Sequence, residues 1–523
     1  METPSDGARV QPRLTRRRLL LIAGAVATGG YGIDRLIDAQ FGRSPGPVHP
    51  VVSVRAMGAK GDGYVNDTSA FQRACAAINA ARGGTLLIPG GTYVVGRQHL
   101  AGRSGLGFAY RGEPVIAIAD CNRPVLVDGR GATLRTAPGL KLGAFNPITG
   151  ASHEPTSLPF LEPDYRSDIY EGALNLQRNA RVWVRGLNVD GNAAEIEFGG
   201  QYGDAGYQVS HDGLVATRNR ELLVQNAHFH HHGRDGLILR DPNRAADEAP
   251  RPVMLHTVSC DYNGRQGLSW VGGRGLQAKR CSFSFTGRAS IPVSNPGAGV
   301  DIEPEDSTCR DAVFTECEFN ANLTFGVIAN VGDAARIGFE RCTFATWPGS
   351  TVAPGPRAVW PNKPGMWFEQ CRIHGSVVDA YGSDSAADAC RFARCSFDDT
   401  SGGADGPPYV GIAIIETGGS NVRFDQCSVQ ATRSRSIALG HLAQAAPMIV
   451  QGCSIRHCDA VLPAGSYQAS LQSVRLANTV FHESSLTNDY YIATSNVTIG
   501  GGVRVDGPHV AWERVGGQIG TIA

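Results

Sequence analysis

The chain has 523 residues, with 66 Gly, 29 Pro and 13 Cys, and its 48 basic side chains balance 48 acidic ones. Hydrophobic residues make up 42% and charged residues 18%, which excludes a disordered chain, since that needs few apolar groups and a high net charge. No positive excess exists to neutralise phosphates, which excludes a nucleic-acid binder or a polybasic membrane protein. Glycine stands near twice its usual share of roughly 7%, a sign of many short strands joined by many tight turns.

The N-terminus carries Arg16-Arg17-Arg18 ahead of Leu19-Leu20-Leu21, then a short run of apolar and small residues ending near Gly30. That run is too short to span a bilayer and reads as an export signal. Its paired arginines resemble the bacterial twin-arginine signal, so residues 1–43 are expected to direct export to the periplasm or beyond. No membrane association is expected once the segment is removed. The Pro-rich stretch 44–50 reads as a linker opening the main domain.

Residues 51–96 run from an apolar strand through Gly61-Asp62-Gly63 into a helical pattern, with Phe71, Ala74, Cys75 and Ile78 on one face. Asp67 or Thr68 suits the N-cap, and Gly83-Gly84-Thr85 leads into the next strand. This unit resembles the opening of the pectate-lyase-like superfamily, in particular its rhamnogalacturonase and epimerase-like branch. The resemblance implies an all-β fold, a single-stranded right-handed parallel β-helix whose N-terminal end is closed by that helix. Asp62 and Asp67 are read as turn and cap residues.

The rest of the chain repeats. Cys281-Ser282-Phe283, Cys317-Glu318-Phe319, Cys342-Thr343-Phe344, Cys371-Arg372-Ile373, Cys395-Ser396-Phe397, Cys427-Ser428-Val429 and Cys453-Ser454-Ile455 recur, with Ser259-Cys260 read as an earlier member. A period of roughly 20–30 residues built of short strands is the signature of a solenoid, in which each coil buries its face against its neighbours. The eight cysteines of this ladder are expected to be free, buried and stacked, behaving as small hydrophobes. The β-helix domain is expected over 44–485 and a C-terminal cap over 486–523, because the repeat fades after about 485.

A second ladder lies upstream: His211-Asp212-Gly213-Leu214, Arg234-Asp235-Gly236-Leu237, Arg265-Gln266-Gly267-Leu268 and Gly297-Ala298-Gly299-Val300. Aligning the glycines places His211, Arg234 and Arg265 in one column and Asp212, Asp235 and Gln266 in the next. Coils stack at about 4.8 Å, so the columns are expected to form a contiguous surface strip. Alternation along the following strand sends Asp301 and Glu303 outward, on the face shared by Ile238, Arg240 and Ser269. Later coils carry apolar residues or glycine at these positions. The competing reading is that Asp212 and Asp235 are turn residues before glycine.

Paired carboxylates suit glycosidic hydrolysis, and carboxylates beside Arg or His suit proton abstraction next to a uronate carboxylate. The expected catalytic residues are Asp212, Asp235, Asp301, Glu303 and Arg265. The expected substrate contacts are His211, Arg234, Arg240, Gln266, His232 and Tyr202. Asp301, Glu303 and Glu305 offer oxygen ligands for calcium, although nothing in the sequence requires a cofactor. Of the run His230-His231-His232, at most two side chains could share a ligand set, since neighbours alternate faces or turn a corner. Aromatic-bearing insertions at 143–172, 193–209 and 347–367 offer rings for stacking on sugars. The reading is an exported enzyme cleaving an acidic polysaccharide by β-elimination or hydrolysis. A uronate C5-epimerase and a non-catalytic glycan-binding or envelope β-helix are its rivals. Oligomeric state is open.

Overall fold

The structure, a computed structural model, describes residues 46–398 apart from 103–104, 155–161, 201, 204–207, 244–247, 289–293 and 348–356. Beyond 398 it describes residues 419–430 and short strand-bearing segments as far as Asp506. The export-signal expectation falls outside the described residues. No helix among them is long and apolar enough to cross a membrane.

From Val51 onward the strands of the coils pair in parallel, each with the strand one coil away, as a right-handed crossover requires, while a separate five-stranded sheet built from the early insertions includes antiparallel pairs. One face of the solenoid is a 13-stranded sheet containing Leu214–Thr217, Asp235–Arg240, Gln266–Trp270, Ala298–Ile302 and Phe325–Ala329. The other two faces belong to one 27-stranded sheet, bent at a corner. The helix α1, Thr68–Ala80, packs Phe71, Ala74, Cys75 and Ile78 into the core at the N-terminal end. Asp67 stands at its N-cap without a side-chain capping bond. Its carboxylate accepts the Lys60 and Gly61 amides at 2.7 and 2.9 Å, pinning the glycine-rich turn, while Asp62 accepts the Tyr64 and Val65 amides. Both acids are therefore structural.

The bend has a repeated cause. Arg280, Glu316, Arg341, Gln370, Arg394 and Gln426 all adopt left-handed backbone angles, with φ between 52 and 56°. Each costs a non-glycine residue roughly 1–2 kcal/mol, and each directly precedes a ladder cysteine. The corner turns the cysteine inward and interrupts the ladder, leaving a backbone carbonyl in the core that the thiol meets. Cys342 Sγ lies 3.3 Å from the Phe314 oxygen, Cys371 3.2 Å from that of Phe339 and Cys395 3.5 Å from that of Phe368. The thiols thus act as weak donors to the coil below. All twelve described cysteines are free and buried. Cys260 is a correction: it pairs with Phe229 and Phe283, one pleat beyond the corner, and the ladder position of its coil is held by Val258.

Flanking the thiols run two aromatic columns. Phe314, Phe339, Phe368, Phe392 and Phe424 stack at 4.7–5.0 Å with near-parallel rings, the repeat of the coils themselves. The strands Ser485–Asn488, Asn496–Ile499 and Arg504–Asp506 still pair in register with the preceding coils. Parallel strand pairing is thus described past 485, within the stretch expected as the C-terminal cap.

Phe339→Ala should lower stability by ~3–5 kcal/mol in urea melts, since a stacked, fully buried ring leaves a cavity that neighbouring coils cannot close. Alkylation of the native protein followed by peptide mapping should leave the twelve described cysteines unmodified, and denaturant should expose them all.

Candidate active site

The strand register reproduces the aligned columns. Leu214, Leu237, Leu268 and Val300 pair in succession and point inward, all fully buried. The glycine before each is required by close approach: a Cβ on Gly236 would lie 2.6 Å from Asn263 Nδ2 and 2.8 Å from the Gly267 oxygen. The residue ahead of that glycine is thus fixed in place one coil after another.

The columns do not form a surface strip. Asp212, Asp235 and His211 have no exposed area, and Gln266 and Arg234 are buried. Arg234 reaches back one coil to grip Asp212 with Nε and Nη2, at 2.8 and 2.5 Å. Arg265 grips Asp235 in the same way, at 2.9 and 2.5 Å. Burial works against charge on Arg234, yet Asp212 and Asp235 outweigh it and raise its pKa, so the guanidinium stays charged; burial raises the Asp212 carboxyl, with Arg234 opposing that rise. The segment after Gly199 covers the arginines: Gln208 accepts Arg234 Nη1 through its backbone oxygen and Arg265 Nη1 through Oε1. Tyr202 donates its hydroxyl to the Gly233 oxygen. Each cation is consumed by the acid of the preceding coil and lidded by this segment, which is why the strip is interior.

His211 and His232 are also interior. The Gly233 amide donates to His211 Nδ1 at 2.9 Å, which leaves Nε2 protonated toward Thr136 Oγ1 at 3.4 Å. Burial first, then Arg234, lowers His211 to about 3, so the ring is neutral. His232 takes the turn position that Asn263 and Asn322 hold in later coils, where their amides donate to the Phe229 and Phe283 oxygens. Burial lowers its pKa well below the usual value.

The ladder of pairs stops at the fourth coil. Gly297 and Ala298 replace the Arg and Asp, and the outward acid of that coil, Asp301, receives a neutral partner, the Gln266 amide. Asp301 is 3% exposed. Burial first, and then the hydrogen-bonded Glu303 carboxyl, push it up to about 8, only partly opposed by Arg265. At neutral pH it is a protonated acid able to donate. Glu303 is exposed, two residues along the same outward face. Arg265, the cation that opposes this rise, keeps its side chain 16% exposed. Gln266 Oε1 is buried without a partner.

Arg240 lies on the outward column of Glu303 two coils away, roughly 10 Å at the coil spacing, and its Nη1 is 3.1 Å from Glu171 Oε1. Among the described residues, Asp301, Glu303 and Glu305 do not bring their oxygens together as a metal-holding group. The insertion aromatics divide: Tyr170 is core, hydrogen-bonded to Thr136 Oγ1 at 2.5 Å, while Trp347 lies against Arg288. Trp360 joins Phe325, and Trp367 packs over Gly338. Phe160 and Tyr207 lie outside the described residues. Sequence reasoning missed Gln208, because its role follows from where a long connection crosses the coils.

Two measurements test this layout. Arg234→Ala should destabilise by ~3–5 kcal/mol by stranding Asp212, whereas Arg234→Met with Asp212→Leu should restore most of the loss. Asp301 is protonated in both states below its unfolded pKa of 3.8 and only in the folded state up to about 8. Unfolding is therefore favoured progressively as pH rises between those limits. Asp301→Asn should flatten that fall in thermal melts and raise the melting temperature at pH 8.

No family model and no curated protein matches the chain. Among solved structures it is similar to the A-module of the Azotobacter vinelandii mannuronan C-5 epimerase AlgE6, at 13% identity over 88% of this chain and 100% of that one, with a TM-score of 0.38. It is similar to the pre-mature bacteriophage phi29 gene product 12, at 12% identity over 90% of this chain and 54% of that one, with a TM-score of 0.49. A further similar structure is the tailspike protein gp49 of Pseudomonas phage LKA1, at 12% identity, covering 90% and 81% of the two chains, with a TM-score of 0.39. No residue role is carried over from them.

Proposed function

We propose that the chain is an exported carbohydrate-active enzyme that cleaves a glycosidic bond in a uronate-containing polysaccharide on the outer face around Asp301. The observation that carries this reading is the unequal pair: a buried, protonated Asp301 beside an exposed Glu303. Two carboxyl groups whose surroundings differ so sharply supply an acid and a base from one strand.

In this reading Asp301 donates its proton to the departing glycosidic oxygen. Glu303, released from its hydrogen bond to Asp301, accepts a proton from the carbon next to the uronate carboxylate for β-elimination, or from water for hydrolysis once the two carboxyls stand the ~5 Å or more apart that hydrolysis needs. Arg265 contacts the substrate carboxylate, which displaces the neutral Gln208 oxygen from its Nη1 and offsets charge building up in the transition state. The half-buried rings of Tyr262 and Phe285, with centroids 4.9 Å apart, run along the neighbouring corner and offer flat edges and faces to sugar rings. Asp212, Asp235 and Arg234 hold Arg265 in place from beneath.

A panel of uronate polysaccharides distinguishes the chemistries. Unsaturated uronate absorbance marks β-elimination, and new reducing ends without it mark hydrolysis. Altered uronate composition at constant chain length marks epimerisation, and affinity without any product marks a binding protein. Asp301→Asn and Glu303→Gln should each lower kcat at least ~100-fold with the fold intact. The wild-type rate should fall on an alkaline limb near pH 8, the value at which Asp301 loses its proton. Unchanged turnover in both variants would exclude this site.

A further inference from the structure

The histidine run forms a separate cluster on the opposite side of the same corner. His230 ends the strand Leu222–His230 on its outward face, in register with Asp190 one coil below and Asp261 one coil above. The next residue, His231, has φ 55°, and this left-handed corner breaks the alternation. Its ring comes to the same outer side as that of His230 while His232 turns inward. Asp190, His230 and His231 then bring one donor atom each within 4.8 Å of one another.

The donors are prepared as well as close. Asn188 Oδ1 lies 3.1 Å from His230 Nε2, and its Nδ2 is turned to Thr133 Oγ1 at 3.3 Å. An amide oxygen only accepts, so the His230 proton sits on Nε2 and Nδ1 presents a lone pair. That lone pair accepts a hydrogen bond from His231 Nδ1 at 2.7 Å, whose proton moves to Nε2 when an ion takes its place, and stands 3.8 Å from Asp190 Oδ1. Asp190 Oδ1 is itself fixed by the Asn192 amide at 2.9 Å. Ligands about 2.0–2.2 Å from a tetrahedral ion stand roughly 3.3 Å apart, between these two separations. Beside the group, His228, whose ring is 4.2 Å from that of His230, turns its Nε2 toward Asp261 Oδ2 at 3.4 Å.

We propose that Asp190, His230 and His231 form a binding site for a divalent transition-metal ion of the zinc class. Two imidazole nitrogens and one carboxylate hold the ion and leave the fourth position to water. Asn188 is the positioning residue that orients His230, as outer partners of metal-bound histidines do. The donor set discriminates against calcium, which prefers oxygen ligands. The site is independent of the Asp301 pair and of the activity proposed for it.

Isothermal titration of the chelator-treated full-length protein with zinc chloride tests this. One tight equivalent is expected, weakened at least ~100-fold by His230→Gln with His231→Gln and ~10–100-fold by Asp190→Asn or Asn188→Ala. Calcium chloride should give no heat at this site, and His374→Ala, which removes the His374–Asp398 pair of the later coils, should bind zinc at this site as the wild type does. Circular dichroism of each variant separates lost ligands from lost folding, and the isosteric Asp190→Asn serves if the histidine variant unfolds. Absence of zinc binding, or tight binding that survives both His230→Gln with His231→Gln and Asp190→Asn, would overturn the site.

Discussion

Each coil can satisfy its backbone only through the coils on either side of it. A parallel strand one coil away accepts and donates every ladder hydrogen bond, so the register between coils is fixed wherever the strands run. A side chain's nearest neighbours are then the residues at the same position one coil before and one coil after. Thiols face carbonyls, phenyl rings face phenyl rings, and arginines face aspartates because of this single spacing. The corner cysteines show the constraint at work. A left-handed turn repeated coil after coil leaves a carbonyl in the core each time, and a small, weakly polar side chain both fills the volume and meets the oxygen.

The same spacing explains the polar ladder. An arginine buried in isolation would be prohibitively costly, and so would an aspartate. Placed one coil apart, they form two parallel N–H···O bonds, and the pair can be covered by a passing segment. The acid at the centre of the proposed chemistry is the one where the alternation fails. Asp301 is offered an amide in place of a guanidinium, so its proton is the cheapest remaining way to neutralise it.

Much of this was legible in the sequence because the repeat displays it. The glycine before each strand aligned His211, Arg234 and Arg265 correctly, and seven of the corner cysteines fell in one column. Cys260 was misplaced because it shares a local pattern with the ladder while standing one pleat further on. The burial of Asp212 and Asp235 was not legible, since it depends on a segment around Tyr202 and Gln208 that folds back over coils distant in sequence. The meeting of His230 with His231 was hidden for a different reason. Alternation sends adjacent residues apart, and only a left-handed backbone angle at His231, unmarked by glycine, reverses that.

Gly297 has φ 65° and a Cβ there would stand 3.0 Å from Leu323 Cβ, so a side chain is crowded as well as strained at the position that Arg234 and Arg265 fill in earlier coils. The polar ladder therefore ends by backbone geometry as much as by residue choice. A solenoid lengthened by duplicated coils upstream of this glycine would carry Asp301 and every later coil away from the N-terminal helix by a distance set by the number of coils. Position along the axis, rather than the composition of any one loop, becomes the variable on which such a protein can be drawn out or shortened without rebuilding the coils around Asp301.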